Sequence, residues 1–388
     1  MASKSIVDPK RLALTTRERF RRQMHFQSID RGIHWEFGYL GETLERWHKE
    51  GLSNEIVPGE GAGSVEAYFG VDPVRHLPIG IGLQPGFPYE YEVLEKKADS
   101  EVRKYADGHI QEEKTSGIRT IPHYIKFPIA NRDDWKRYKE RLDPASPERR
   151  LDWKKIGREL LRCDLPVGIG LGSFFGIPRN WIGFENIAMM CYDDRDLVEE
   201  IVETLTQLYL SQLEQALREC QVDFALGWED ICFRNGPMIS PQMFREIVGP
   251  RLKRVCDLLR RHGCDVILTD CDGDIRQLIP VWLECGVNCM FPIEIGNWAD
   301  PVRFRKQYGR DLLMMGGFSK HILAESKGAI DAEVARLTPL VEDGGYIPFC
   351  DHRVPPNVPY ENYLHYCRTV RRVWGRNVDL PPMLAGEG

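Results

Sequence analysis

The chain has 388 residues, 42% of them hydrophobic and 28% charged, the composition of a soluble globular protein with ample apolar side chain for a core. A formal charge of −6 gives no basic face for nucleic acid, and no apolar run approaches the ~18 residues of a transmembrane helix. Met1 to Phe20 carries charges throughout, so no secretory leader is expected. The 11 cysteines are scattered singly, are odd in number and form no Cys-x-x-Cys pair, which fits reduced thiols in a cytoplasmic protein.

In chain order, Thr16–Phe26 reads as a basic helix and Gly32–Tyr39 as a first strand. Tyr89–Glu95, Glu101–Tyr105 and His109–Lys114, with a turn at Asp107-Gly108, have antiparallel character and are expected to form an insertion after that first strand, over the mouth of the domain. From Leu165 the pattern becomes regular. Strands are expected at Pro166–Leu171, Val222–Trp228, Asp265–Thr269, Val287–Pro292, Asp311–Gly316 and Gly345–Phe349. Between and after them come helices at Asp194–Glu219, Pro241–His262, Ile275–Cys285, Pro301–Tyr308, Ile330–Val341 and Tyr360–Trp374. Repeated strand–helix units imply parallel strands with right-handed crossovers. Without a Gly-x-Gly-x-x-Gly turn they favour a closed (β/α)8 TIM barrel over a dinucleotide-binding sheet. The chain is thus expected to be one α/β barrel domain over residues 1–388: an N-terminal part to about residue 160, regular units over 161–374, and a mobile Pro/Gly-rich tail over 375–388.

In such a barrel the C-terminal tips of the strands share one rim, where chemistry is done. Asp270, Asp272 and Asp274 lie within five residues at one tip, and clustered acids repel and lose hydration unless something positive sits between them. Asp274 suits an N-cap of the next helix, whereas Asp270 and Asp272 together indicate a site. Glu229 and Asp230 follow another strand, before a helix that Ser240 caps and Pro241 opens, and Glu294 follows the next strand. These three acids are candidate catalytic groups, with a loop salt bridge as the plainer alternative. His352, after the last strand, is a candidate ligand or general acid, or else a hydrogen-bond partner of the neighbouring acids. Trp35, Tyr39, Phe174, Phe175, Arg179 and Trp181 are candidate walls of a substrate pocket, though as core packing the aromatics need no ligand.

Several short pieces, in order and spacing, resemble the uroporphyrinogen decarboxylase superfamily, and within it the cobamide-dependent methyltransferases. They are Thr16 to Phe20 with Ser28 to Arg31, Gly183 to Asn186 leading to Asp193-Asp194, and Met238 to Pro241 with Phe244 and Pro250. Gly316-Gly317, Gly344-Gly345 and Pro359 to Asn362 complete the set, so the resemblance spans about residues 15 to 374. The decarboxylase grips an acidic tetrapyrrole with early arginines; here Trp35 to Tyr39 offers aromatics and an acid instead. The branch that methylates thiols carries zinc on His-x-Cys-Gly and a later Cys. Matching Gly273 and Pro359 to Asn362 onto that pattern puts Asp270, Asp272 and His352 at the three ligand positions.

The resemblance therefore implies a divalent metal, zinc first, on a hard O/O/N set suited to oxygen ligands. The implied activity is that of a substrate-demethylating methyltransferase, which takes a methyl group from an O-methyl small molecule to cobalt(I) on a separate corrinoid (cobalamin) protein. Glu229 is the expected general acid, its replacement by Gln lowering turnover about 10² with binding little changed. Glu294 is expected as a fourth ligand or a substrate contact, and Cys271 and Cys350 as spare thiols. Expected partners are the methyl donor and the corrinoid protein, with no nucleic acid and no membrane; a homodimer is left open. A decarboxylase of a different acid and a metal-free binding barrel are the alternatives.

Overall fold

Apart from the exposed pair Arg75–His76, buried runs of two to six mostly apolar residues form the parallel strands, as burial on both faces requires. The computed structural model describes residues 13–59, 64–82, 91–115 and 122–375; most of the tail expected over 375–388 lies outside them. In chain order the strands are β1 (Arg75–His76), β2 (Glu92–Lys96), β3 (Ser100–Lys104), β4 (Ile110–Lys114), β5 (His123–Lys126), β6 (Val167–Gly172), β7 (Phe224–Trp228), β8 (Cys232–Phe233), β9 (Gly236–Pro237), β10 (Ile267–Asp270), β11 (Cys289–Phe291), β12 (Leu313–Met315) and β13 (Tyr346–Ile347).

Seven of them form one parallel sheet in the order β1-β6-β7-β10-β11-β12-β13. The segment expected as the first strand, Gly32–Tyr39, forms no regular strand but lies between the two edges of this sheet. Tyr39 makes a parallel bridge to Val354, beyond β13, while Asp72 N donates to His34 O (2.7 Å) just before β1. The result is a TIM-barrel-like fold, its helices packed outside.

Period-2 alternation fills the barrel interior. Phe20, Ile33, Trp35, Phe224, Val266, Leu268, Cys289, Leu313, Met315, Ile347 and Phe349 form one buried cluster, with Phe37, Leu226 and Phe291 packed against it. Outward positions such as Ile267, Met290 and Met314 join the larger cluster shared with the helices. Helix Arg195–Leu217 buries twelve residues of its inner stripe there.

Three expectations change. The segment Pro241–His262 is two helices, Pro241–Ile247 and Gly249–Arg261, the second opening with Pro250 in its first turn, where a missing N–H forfeits no helical hydrogen bond. Ser240 caps the first as expected, accepting from Met243 N (3.1 Å). The helix after β10 begins only at Ile279, so Asp274 does not cap it; it holds a local turn and pairs with Arg276 at 2.7 Å. The antiparallel insertion follows the second barrel position, β1, rather than the first. It also has a fourth strand, β5, in the order β2-β3-β4-β5.

Ile129 N donates to Trp181 O (3.1 Å) and Tyr138 Oη to Asp107 O (2.8 Å), tying the insertion to the barrel top. All 11 cysteines are free. Among the described residues no helix is long and apolar enough to cross a membrane.

Candidate active site

Strand parity decides which acids face the mouth. Leu268 points inward, so Asp270 continues the inward row at the tip of β10; Phe291 does the same after Cys289, and Trp228 after Leu226. Asp270 has its carboxyl pushed up to about 7, first by burial and then by the charges of Asp272 and Asp230, with His352 and Arg353 opposing. His352 Nε2 lies 3.5 Å from Asp272 Oδ2, and this contact raises the imidazole above its ordinary value. Burial raises the Asp230 carboxyl as well, against the pull of Arg179. Arg179 donates to Asp230 O, reaches Asp230 Oδ2 at 3.5 Å, and lies over the Trp228 ring. Asp230 has a left-handed backbone (φ 42°), uncommon for any residue but glycine.

The mouth has an aromatic wall, built from residues other than those expected. Phe37 meets Phe291 edge-on at 4.7 Å and His352 at 5.8 Å, and Arg353 lies over its ring. Tyr124, on β5, feels the charges of Arg179 and Asp230, so the insertion reaches the mouth as expected. Four of the proposed wall residues are core. Trp35 packs on Phe20 and on Phe224, the first residue of β7, at the opposite end of the barrel. Phe174 and Phe175 have no exposed surface, and Trp181 is buried against Tyr138. Tyr39 belongs to a tyrosine cluster outside the barrel, its hydroxyl 3.0 Å from that of Tyr363. Arg179 alone of the six reaches the mouth.

The expected catalytic acids separate by the same criterion. Glu229 is 3% exposed and points outward. Its carboxylate accepts from Phe174 N (2.8 Å), Phe175 N (2.9 Å), Gly176 N (3.2 Å) and Ser173 Oγ (3.4 Å). Burial pushes this carboxyl up while the donors hold it down, and neither oxygen is available to a substrate. Its role as general acid is therefore corrected to that of a clasp between the β6 and β7 loops. Glu294 likewise accepts from Gly273 N (2.9 Å) and Lys320 Nζ (2.6 Å). Asp351, fully buried, accepts from Ile295 N and Lys320 N, both at 2.8 Å. Gly273 has φ 78°, and a Cβ there would lie 2.7 Å from Phe233 O, so the loop carrying Asp272 requires glycine.

The thiols turn away from the mouth. Cys271 Sγ accepts from Ile231 N (3.4 Å) and shares a thiol–thiol hydrogen bond with Cys232, while Cys350 lies buried beside Glu36; burial raises both thiols well above the ordinary range.

The donor chemistry of Asp270, Asp272 and His352 suits a hard divalent cation, and Asp272 Oδ1 is buried without a hydrogen-bond partner. Among the described residues, however, no three His, Cys, Asp or Glu side chains stand gathered as a ready-made cage. The pair Asp272–His352 is formed; Asp270 is near enough to feel both but does not complete a triad.

Sequence comparison now bears on this barrel. The family model for uroporphyrinogen decarboxylase (URO-D) matches residues 116–373, well over half of the chain. The chain belongs to the uroporphyrinogen decarboxylase family. A solved structure, a methyltransferase from Methanosarcina mazei, shares the fold with TM-score 0.55 and 14% identity, over 92% of this chain and 99% of that one. A search of curated protein sequences finds no match.

Behind the wall of this family member lies a further acid that the sequence reading did not single out. Glu36 accepts from Phe37 N (2.9 Å) and Tyr363 Oη (2.8 Å), and burial lifts its carboxyl to about 8. The unfolded chain releases this proton near the ordinary value of 4.5. Between about 4.5 and 8 the folded chain thus binds more protons, and its stability falls as pH rises through that window. Glu36→Gln removes this dependence. The variant should gain on the order of 1–3 kcal/mol at pH 8.5 and much less at pH 5, measured by urea unfolding at both values. An equal shift at the two pH values contradicts the assignment.

Proposed function

We propose that this protein is the substrate-demethylating component of a corrinoid-dependent methyl-transfer system. It takes a methyl group from an O-methyl small molecule, an ether or methoxy-arene, to cobalt(I) on a separate corrinoid protein. The observation that carries the reading is the composition of the mouth. Oxygen and imidazole donors (Asp270, Asp272, His352) face it, while Cys271 and Cys350 are sealed in the wall. A thiol substrate is best served by thiolate ligands, an oxygen-bound methyl by harder ones. The fold shared with a methyltransferase is consistent with this reading.

Asp270, Asp272 and His352 would hold a divalent metal, zinc first, and Lewis acidity toward the donor oxygen is the chemistry such an ion supplies. The remaining tasks fall to the chain's own residues. Phe37 and Phe291 offer an apolar wall against the body of the donor. Asp230, whose carboxyl is raised by burial against the pull of Arg179, is the acid that would pass a proton to the departing alkoxide or phenoxide. Arg179 fixes Asp230 by its main-chain and side-chain oxygens.

Protein purified without chelators should contain about one divalent ion per chain by mass spectrometry of metals. Asp272→Ala and His352→Ala should lose it with unchanged circular dichroism. Metal-free wild type removes the metal from the reading. The activity is tested by following methylcobalamin formation spectroscopically with methoxylated compounds, methylamines and methyl thiols as donors. Turnover of the methoxy donors is expected; turnover confined to thiols or amines refutes the oxygen-donor assignment.

A second reading is favoured by Arg179 and Arg353, two cations at the mouth where the sequence suggested few. They suit a substrate carboxylate, as a decarboxylase of this family would require. Carbon dioxide release without methyl transfer would establish it.

A further inference from the structure

We infer that Lys320 is a positioning residue that sets the spacing between Asp272 and His352. The inference rests on the reading of those two side chains as working groups of the mouth.

Asp272 and His352 sit on loops after β10 and β13, separated in the sheet by β11 and β12. No backbone hydrogen bond of a barrel ladder reaches from one loop to the other. Two buried or half-buried carboxylates join them instead. Glu294, after β11, accepts from the amide of Gly273, the neighbour of Asp272, at 2.9 Å. Asp351, the neighbour of His352, accepts from Ile295 N at 2.8 Å, next to Glu294. Lys320 connects both: its Nζ donates to Glu294 Oε1 (2.6 Å) and its main-chain N to Asp351 Oδ1 (2.8 Å). The circuit Asp272–Gly273–Glu294–Lys320–Asp351–His352 closes at the 3.5 Å contact between His352 and Asp272.

Electrostatics make the ammonium necessary. Asp230, Asp270 and Asp272 already share the mouth. Glu294 is 24% exposed at its side chain and would add an uncompensated charge against the Asp272 loop if Lys320 were neutral. It could then relieve the repulsion by swinging to solvent, releasing Gly273 N. The main-chain arm of the circuit depends on the register of residue 320, which Phe318 fixes by pairing with Phe349 and Asp351. Loss of the side chain therefore loosens the Asp272 loop first, and the Glu294–Ile295 segment transmits the change toward His352.

Hydrogen–deuterium exchange read by mass spectrometry tests this on the full chain. In Lys320→Met, exchange in segments 270–276 and 350–354 should rise at least about tenfold, with other strand tips unchanged. Lys320→Arg, which keeps the charge, should stay near wild type. The double variant Glu294→Gln/Lys320→Met, which removes the unpaired charge but keeps an acceptor for Gly273 N, should regain most of the protection of 270–276. A merely structural lysine would not show that rescue. Cobalt(II) titration followed by its visible spectrum supplies a second readout, with affinity about tenfold or more weaker in Lys320→Met. Unchanged exchange in 270–276, absence of rescue, or loosening confined to 270–276 overturns the inference. Wild type that takes up no cobalt refutes the metal reading alone, and the exchange results still decide the role of Lys320.

Discussion

Replacing Glu229 by Ala should cost the folded protein on the order of 3–5 kcal/mol. Three main-chain N–H groups, of Phe174, Phe175 and Gly176, lose their acceptor together inside a region that water does not reach. The same substitution leaves a void beside Phe174 and Phe175, which have no exposed surface. Glu229→Gln keeps one acceptor oxygen but points an amide NH2 at the other donors, so a loss of about 1–3 kcal/mol is expected. Urea unfolding and thermal melts of the two variants measure both. Any loss of turnover in Glu229→Gln should then follow the folded fraction, not a step that needs a proton. A Gln variant of wild-type stability with turnover reduced about 10² would restore Glu229 as the general acid.

The barrel itself was legible because the signals that specify it are repeated. The sequence marks every parallel strand after Leu165 and the antiparallel character of β2, β3 and β4, since alternation and turn residues are local properties. Misplacement arose where tertiary pairing decides. β1 is two residues long and exposed, with nothing in Arg75-His76 that marks a barrel strand, so the sequence shows the insertion one position too early. β5 carries His, Tyr, Ile and Lys, all exposed, and is a strand because β4 offers it an edge.

At the site, strand parity separates the rim acids that face the mouth from those that face the wall. Phe224, Leu226 and Trp228 point inward, so Glu229 must point outward; the alternation was available in the sequence and distinguishes it from the acid that follows. Phe37 could have been found by the same count from Ile33 and Trp35. Glu294 could not, because the left-handed Ile293 breaks the alternation between β11 and this residue. Nor does composition reveal that Trp35 closes the far end of the barrel, where Phe20 from the N-terminal helix meets it. Acids at a rim serve two physical ends: a carboxylate turned into the wall is a strong acceptor for unpaired loop amides, and one turned inward gathers charge for chemistry. Glu229, Glu294 and Asp351 belong to the former, Asp230, Asp270 and Asp272 to the latter.

On the proposed reading, that division makes Asp230 the proton donor. Asp230→Asn should lower kcat for a methoxy donor by about 10² or more while KM changes little, because the lost proton matters only as charge develops on the departing oxygen. The pH profile gives the sign. Burial holds the Asp230 carboxyl above its ordinary value of 3.8, so the protonated, active form persists to higher pH than in water. Turnover should therefore be retained on the acid side and decline as pH rises through the folded-state value. In the Asn variant that decline should vanish along with most of the rate. Arg179→Lys offers a control. It keeps the positive charge but loses the planar fork that reaches Asp230 O and Oδ2 together, and should shift the descending limb without abolishing turnover. A fall of less than about threefold in Asp230→Asn, or an unchanged descending limb, assigns the proton to another group of the mouth and leaves Asp230 as the partner of Arg179 only.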